Sequence, residues 1–376
     1  MTQGEGCEKE RLDFAPAGIS TTSTSAADTP AAAPAASSSS TRPPVFFGGV
    51  TALQIVRAAS VRGRDFPEAS MRSLPAQAPT HDEISAAIDL VESLLPGLRL
   101  DRPVHVLVGG TARVRSSAMC ISHSCNAQLP RRSFFKLAPR VYASKPELAF
   151  VQVAGLEKDR VKLLLLGYEL CGGYATARTR GTLSRDMPSY QVEALATVRG
   201  LSNYASRAPS LHGARKVTRA ARYLSDGSAS PRETQLALAL GLPQRFGGGG
   251  LGIPAMNYRI EATDEARDLA GRSFFLADLC WPEAKLDVEY QSAEMHGNRE
   301  SLDRDSLRTN ALDLMKWHVR NVANIQLGTM KGTDGVIKEV GKALGKDMRV
   351  HVDDYQERKL ALRRSLGLPC GREEWL

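Results

Sequence analysis

The chain predicts an α/β fold, with a mixed sheet flanked by helices in its C-terminal part, preceded by a small α+β domain and a helical connector. Three observations predict it. Val104-His-Val-Leu-Val108 and Ala118 to Ser124 are short apolar runs of strand length set among helical segments. Residues 158–240 read as mostly helical, over Asp159 to Cys171, Ser189 to Ser206 and Ala214 to Leu224. Ser273 to Cys280 and Leu286 to Tyr290 are apolar, aromatic-rich runs joined through Pro282, the pattern of a β-hairpin with a five-residue connection.

At 376 residues the chain exceeds one typical domain. Residues 1–44 are dominated by Ser, Thr, Ala and Pro, which bury too little apolar surface to offset their ordering entropy, so a disordered tail is expected there. The first globular segment spans 45–170. In it, Thr51 is placed as the cap of a helix carrying Leu53, Ile55 and Val56, and a second helix covers Asp82 to Leu95. A connector follows over 171–227, then a segment over 228–328 that contains the hairpin, then helices over 329–376, including a basic one with Lys359, Arg363 and Arg364. Arg245 to Gly252 is glycine-rich, but no Lys-Ser/Thr follows, so it reads as a link between a helix and a strand and not as a phosphate loop.

The formal charge is +8, from 49 Lys and Arg against 41 Asp and Glu. That balance favours a polyanion, and nucleic acid ahead of an acidic protein. On the helix from Ala214, Arg215, Lys216, Arg219 and Arg222 gather on one side, either as a solvated face or as a phosphate-contacting one. The six cysteines have no framework spacing, which suits a reducing compartment, and Cys120-Ile-Ser-His-Ser-Cys125 lacks a fourth zinc ligand at a standard spacing. The N-terminus has no signal-peptide layout, and the longest aliphatic run, Val161 to Leu166, falls far short of the roughly 20 residues of a membrane span. A cytoplasmic protein with no membrane partner is expected.

The richest chemistry lies in the hairpin. Alternation puts Asp287, Glu289 and Gln291 on one face and Leu286, Val288 and Tyr290 on the other. Pairing of the two strands brings Asp278 near Glu289, and two converging carboxylates make a hard, oxygen-rich site of the kind that holds Mg²⁺.

This order of residues resembles the PD-(D/E)XK nuclease superfamily, and within it the restriction-endonuclease-like domains related to very-short-patch repair endonucleases. The resemblance covers roughly Ser228 to Gly328. It rests on Ser230-Pro-Arg-Glu233 opening a helix, Asp278 on a strand, Val288-Glu-Tyr290, His296, Asp305-Ser-Leu-Arg308 and Trp317-His-Val319. It implies a restriction-endonuclease-like fold and a metal-dependent phosphodiester hydrolase acting on nucleic acid, DNA in the first instance. Asp278 and Glu289 would hold Mg²⁺, with Mn²⁺ as the alternative ion. Glu233, Gln291 and His296 would complete the catalytic set, and Arg308 would contact phosphate.

Each residue also has a structural reading: Glu233 as a first-turn carboxylate, Asp278 as a strand-end aspartate, Glu289 as an exposed strand glutamate, His296 as a surface residue and Arg308 as half of a surface pair with Asp305. Leu307, Ala311 and Leu314 are expected to face the core. Gln291-Ser292 stands where the family has Asp-Gly, and Lys316 where Gly precedes the Trp. An amide adds no negative charge to hold a divalent ion. The alternative is therefore a non-catalytic DNA-binding regulator with a degenerate nuclease domain.

Residues 45–170 resemble the central domain of AbiEi-type transcriptional regulators, the antitoxins of type IV toxin–antitoxin systems. The strand at Val104 and the segment Tyr142-Ala-Ser-Lys-Pro-Glu-Leu-Ala-Phe-Val151 carry the likeness. By that likeness Ser144 caps a helix whose first turn holds Pro146 and Glu147. It implies a toxin–antitoxin, defence or repair setting, with a cognate toxin as a protein partner.

Overall fold

Short apolar runs in the N-terminal part pair into a six-stranded mixed sheet. The computed structural model describes residues 43–71, 73–110, 116–181, 188–291 and 299–370, with the side chains of 299–304 excepted. In chain order the first elements are β1 (Val45–Phe47), α1 (Gly49–Val61), β2 (Glu68–Ala69), α2 (His81–Leu94), β3 (Val104–Val108), β4 (Cys120–Ser124), β5 (Phe134–Ala138), β6 (Val141–Ser144) and α3 (Pro146–Leu156). The strands lie in the order β2-β5-β6-β1-β3-β4, with β1 parallel to β6 and antiparallel to β3.

Local chemistry explains where these helices start. Thr80 and Glu83 form a reciprocal capping box at α2, satisfying two amides that the helix itself leaves unpaired. At α1 the helix begins before Thr51, with Gly48 as its N-cap, and the Thr51 hydroxyl instead accepts a hydrogen bond from the His105 amide at 2.9 Å. Pro146 and Glu147 occupy the first turn of α3, as expected. Its N-cap, however, is Lys145, because Ser144 still belongs to β6 and its hydroxyl accepts from Gln152 at 3.2 Å.

Helix α4 (Arg160–Leu170) ends the first segment, and the connector contains β7 (Tyr174–Ala175), α5 (Ala177–Arg180), β8 (Ser189–Tyr190), α6 (Val198–Arg207) and α7 (Ala214–Ala220), the last continued by a 3₁₀ turn over Ala221–Tyr223. The expected helix from Ser189 to Ser206 is thus half right. Ser189 and Tyr190 pair with Ala175 and Tyr174 in a two-stranded ribbon, and the helix starts only where the Thr197 hydroxyl caps it.

The remaining elements are α8 (Pro231–Gly241), β9 (Ala255–Glu261), α9 (Asp264–Ala270), β10 (Phe274–Trp281), β11 (Leu286–Gln291), α10 (Arg299–Leu314), β12 (His318–Ala323), α11 (Asn324–Gly328), α12 (Met330–Ala343) and α13 (Tyr355–Leu366). The glycine-rich link after α8 packs tightly: Gly247 has φ +85°, and a Cβ there would collide with the Arg358 carbonyl on α13. Strands β9 to β12 form a four-stranded sheet in the order β12-β11-β10-β9, antiparallel except for the β11–β12 pair. The hairpin turn is one residue shorter than expected. Trp281 still pairs with Leu286, and Lys285 adopts the left-handed conformation that closes the turn.

One buried core runs from Val45 to Leu368 and takes in Leu279, Leu286 and Val288 from one face of the second sheet. A smaller core of Phe275, Ala277, Cys280, Ala311, Leu312 and Trp317 fills the other face, beneath α10. The described residues belong to one compact unit, in which segments 45–170 and 228–328 each contribute a sheet. The architecture is mixed α/β. Among the described residues, no helix is long and apolar enough to cross a membrane.

Candidate active site

The site is built where β10 and β11 stop being regular. Their register pairs Leu279 with Val288 and Cys280 with Asp287, but the ladder ends there. One step on, the Asp278 carboxylate accepts a hydrogen bond from the Tyr290 amide at 2.9 Å, so a side chain takes over the role of a backbone carbonyl. Burial also changes sides at this level. Ala277 belongs to the core under α10, whereas Leu279 belongs to the opposite core, together with Met256 of β9. Between Met256 and Tyr258, Asn257 has φ +46°. The two strands switch faces together at Asn257 and Asp278, which turns Asp278 toward its acidic neighbours.

Alternation along β11 follows the expected pattern. Leu286 and Val288 are buried in the large core and Tyr290 packs against it, while Asp287 and Glu289 point the other way, toward α10. From that helix the Arg308 guanidinium donates through a single nitrogen to Glu289 at 2.5 Å, to Asp287 at 3.2 Å and to the Leu276 carbonyl at 2.7 Å. Arg308 is therefore held inside the acidic cluster, and its salt bridges are with Asp287 and Glu289, not with Asp305. Helix α10 is rotated from its expected setting. Arg308, Ala311 and Leu312 face the sheet, while Leu307 and Leu314 are exposed, which corrects the core face read for Leu307 and Leu314.

Glu233 approaches from the first turn of α8. Its carboxylate accepts from the Ala229 amide at 2.9 Å, the Ser230 hydroxyl at 2.9 Å and the Asn257 side-chain amide at 3.0 Å, while the Ser230 hydroxyl caps the Glu233 amide. It thus fulfils the helix-capping reading, and it also lies close enough to Glu289 for the two charges to repel. Burial raises its proton affinity, with the hydrogen bonds opposing that shift.

The electrostatics of the cluster are lopsided. Burial first, then the charges of Glu289 and Glu233, push Asp278 up to about 7. Asp287 is fully buried and is pushed well above the carboxylate range, by burial first and by Glu289 second. Its Oδ1 has no hydrogen-bond partner among the described residues. Asp278, Asp287, Glu289 and Glu233 crowd four acids beside one guanidinium in a low-dielectric place, which favours the protonated forms of Asp287 and Asp278 while no further cation is present.

The donor chemistry fits a hard divalent cation: carboxylate oxygens in excess, one of them orphaned. In the conformation described, however, the guanidinium of Arg308 is the cation at that point. Among the described residues, no three His, Cys, Asp or Glu side chains converge as metal ligands. Gln291 ends β11 and is exposed, and His296 lies outside the described residues. Asp287 was not singled out as a site residue. The pattern Asp-Val-Glu-Tyr-Gln placed it on the correct face, and that was the available signal.

The basic residues lie elsewhere. Arg215, Lys216, Arg219 and Arg222 are all exposed on α7 and the 3₁₀ turn after it. A cavity of about 610 Å³ opens over His105, His123 and His212 in the N-terminal part and is lined by none of Glu233, Asp278, Asp287 and Glu289. No protein-family model, no curated protein and no solved structure matches this chain.

Proposed function

We propose that the Asp278–Asp287–Glu289 cluster is the active site of a metal-dependent nucleic-acid phosphodiester hydrolase. The observation that carries this reading is buried acid in excess of its one guanidinium, with Asp287 Oδ1 lacking a hydrogen-bond partner among the described residues and Asp278 pushed up to about 7. Burying like charges costs stability unless a cation arrives to neutralise them. The order of elements supports the same reading. A helix bearing Glu233, three antiparallel strands with Asp278 and Glu289 on the second and third, a helix bearing Arg308 and a final strand parallel to the third occur in the sequence that the PD-(D/E)XK resemblance implies.

Asp278, Asp287 and Glu289 would hold Mg²⁺ or Mn²⁺. When bound, such an ion supplies charge neutralisation at phosphate and lowers the pKa of water. The protein's own contribution is distinct. Glu233, anchored by three donors, sets the negative field from α8. Arg308 keeps the carboxylates from separating while the cation is absent, and its guanidinium geometry suits a phosphate oxygen once it is released. Asp287 and Asp278 hold protons in the cluster, and an ion held there would be coupled to their release.

The test is Mg²⁺-dependent cleavage of single- and double-stranded DNA and RNA, with Asp278→Asn and Glu289→Gln as variants. We expect cleavage to fall by at least roughly 100-fold in each, with far-UV circular dichroism unchanged. The ion should also bind more tightly as pH rises through about 7, where Asp278 gives up its proton.

A second reading has its own observation. Gln291 is uncharged and exposed, and Arg308 already supplies a cation to the cluster. On that basis the domain would bind DNA without cutting it, as part of a cytoplasmic regulator or antitoxin with a protein toxin as partner, in keeping with the AbiEi resemblance of residues 45–170. DNA binding that survives both substitutions, with no cleavage in Mg²⁺ or Mn²⁺, selects this reading.

A further inference from the structure

A concave basic site lies apart from the carboxylates, assembled from three segments distant in sequence. A cavity of about 410 Å³ is lined by Lys158 and Arg160 at the start of α4, Lys216 and Arg219 of α7, Arg222 of the turn that follows, and Arg245 of the glycine-rich link. Its one acidic lining residue is Glu157, whose carboxylate lies 3.5 Å from Arg178 and accepts the Asp159 amide at 3.0 Å. Among the described residues, no carboxylate stands within ion-pair distance of any of the six cations.

Charge alone on a surface is commonly solvated and inert. Here the cations are also held in place. Phe246 lies beneath two guanidinium groups, with Arg160 4.1 Å and Arg245 4.7 Å from its ring centroid. Tyr223 packs edge-on against the same ring at 5.6 Å, and its hydroxyl accepts from Arg245 at 2.9 Å. Lys216 is tied to the Glu157 carbonyl at 2.8 Å. Fixing these side chains in the free protein removes much of the rotamer entropy that binding would otherwise cost.

The cavity also continues. A second one, of about 480 Å³, shares Arg222, Tyr223 and Arg245 with the first and extends past Gly249 to Lys346 and His351. An isolated phosphate or a mononucleotide needs one such cavity; a strand with regularly spaced phosphates uses both.

We propose that this double cavity is a binding track for a single nucleic-acid strand, with Arg160, Arg219, Arg222 and Arg245 contacting successive phosphates. It takes nucleic acid as ligand from the reading above but does not depend on the carboxylates being catalytic. It also narrows the basic helix, because Arg215 lines neither cavity.

The experiment measures binding of a fluorescent 20-nucleotide single strand by anisotropy in EDTA, over a salt series. The proteins are wild type, Arg219→Gln/Arg222→Gln, Phe246→Leu and Asp278→Asn. The double variant changes only exposed side chains and should bind at least roughly tenfold more weakly at moderate salt. The slope of log K against log salt should fall by about 1.4, or about 0.7 per lost phosphate contact on a single strand. Phe246→Leu should weaken binding with an unchanged slope, since it loosens arginines without removing charge. Asp278→Asn should bind as wild type, which separates this site from the carboxylate cluster. Unchanged affinity and slope in the double variant would overturn the proposal. Equal competition by AMP at the concentration of its phosphates would overturn the strand in favour of a free nucleotide.

Discussion

Helices α7 and α13 read alike in sequence, each short and each carrying several Lys and Arg, yet the fold uses them in opposite ways. On α7 and the 3₁₀ turn after it, Arg215, Lys216, Arg219 and Arg222 project outward. On α13, Lys359 and Arg363 point inward and are almost fully buried. Lys359 donates to both oxygens of Asp334 at 2.8 Å. Arg363 reaches the carbonyls of Leu327, Gly328 and Pro369 and the hydroxyl of Thr333, which ties α13 to the end of α11 and the start of α12. A buried charge with an acceptor at every nitrogen is structural; an exposed charge with no carboxylate partner is available to a ligand. The carboxylates around Asp287 occupy the middle ground, buried but under-matched, and that is the condition of a site awaiting a cation.

The comparison breaks most visibly at Arg363. Replacing it with Met leaves several buried acceptors without donors, and we expect a loss of roughly 3 kcal/mol or more, read as a lower urea midpoint. If Arg363→Met unfolds at the wild-type midpoint, α13 is no more structural than α7.

The next effect in size is the pH dependence of the cation-free protein. Asp278 has a folded pKa raised to about 7 against an ordinary value near 3.8. Between those values the folded state holds a proton that the unfolded state has released. Its contribution is therefore complete below about pH 4 and is lost as pH rises through 7, at no more than about 1.4 kcal/mol per pH unit. In EDTA, stability should fall from pH 5 to pH 8, and Asp278→Asn should flatten that fall. A wild-type profile that instead rises over this window would show the cluster to be matched, as α13 is.

The smallest expected effect on stability is at α7. Arg219→Gln and Arg222→Gln should each stay within about 0.5 kcal/mol of wild type in the same urea assay. A larger loss would place these arginines with Arg363, as packing residues.

Much of the hairpin was legible from residue types. The runs flanking Pro282 pair as strands, and period-two alternation puts Leu286 and Val288 in the core and Asp287 and Glu289 opposite. What misled the reading was helix phase. Leu307, Ala311 and Leu314 suggest an inner face for α10, but the sheet accepts Ala311 and Leu312 with Arg308, a rotation that gives the buried Asp287 a counter-charge. Near residue 190 the chain forms a ribbon with Tyr174 and Ala175, a pairing that no local pattern announces.

Taken by itself, the sequence determined what depends on neighbours a few residues away: the alternation along β11, the Ser230-Pro231 start of α8 and the mixed α/β composition. Tertiary structure alone decided which charges meet. Arg308 comes to Asp287 from 21 residues away, Lys359 to Asp334 from 25, and Arg363 to Leu327 from 36. The physical reason is that electrostatic and hydrogen-bond energies depend on distance and local dielectric, and both are set only when the chain has closed around the charge. Until then Arg219 and Arg363 are the same residue; afterwards one is a free cation and the other holds the fold together.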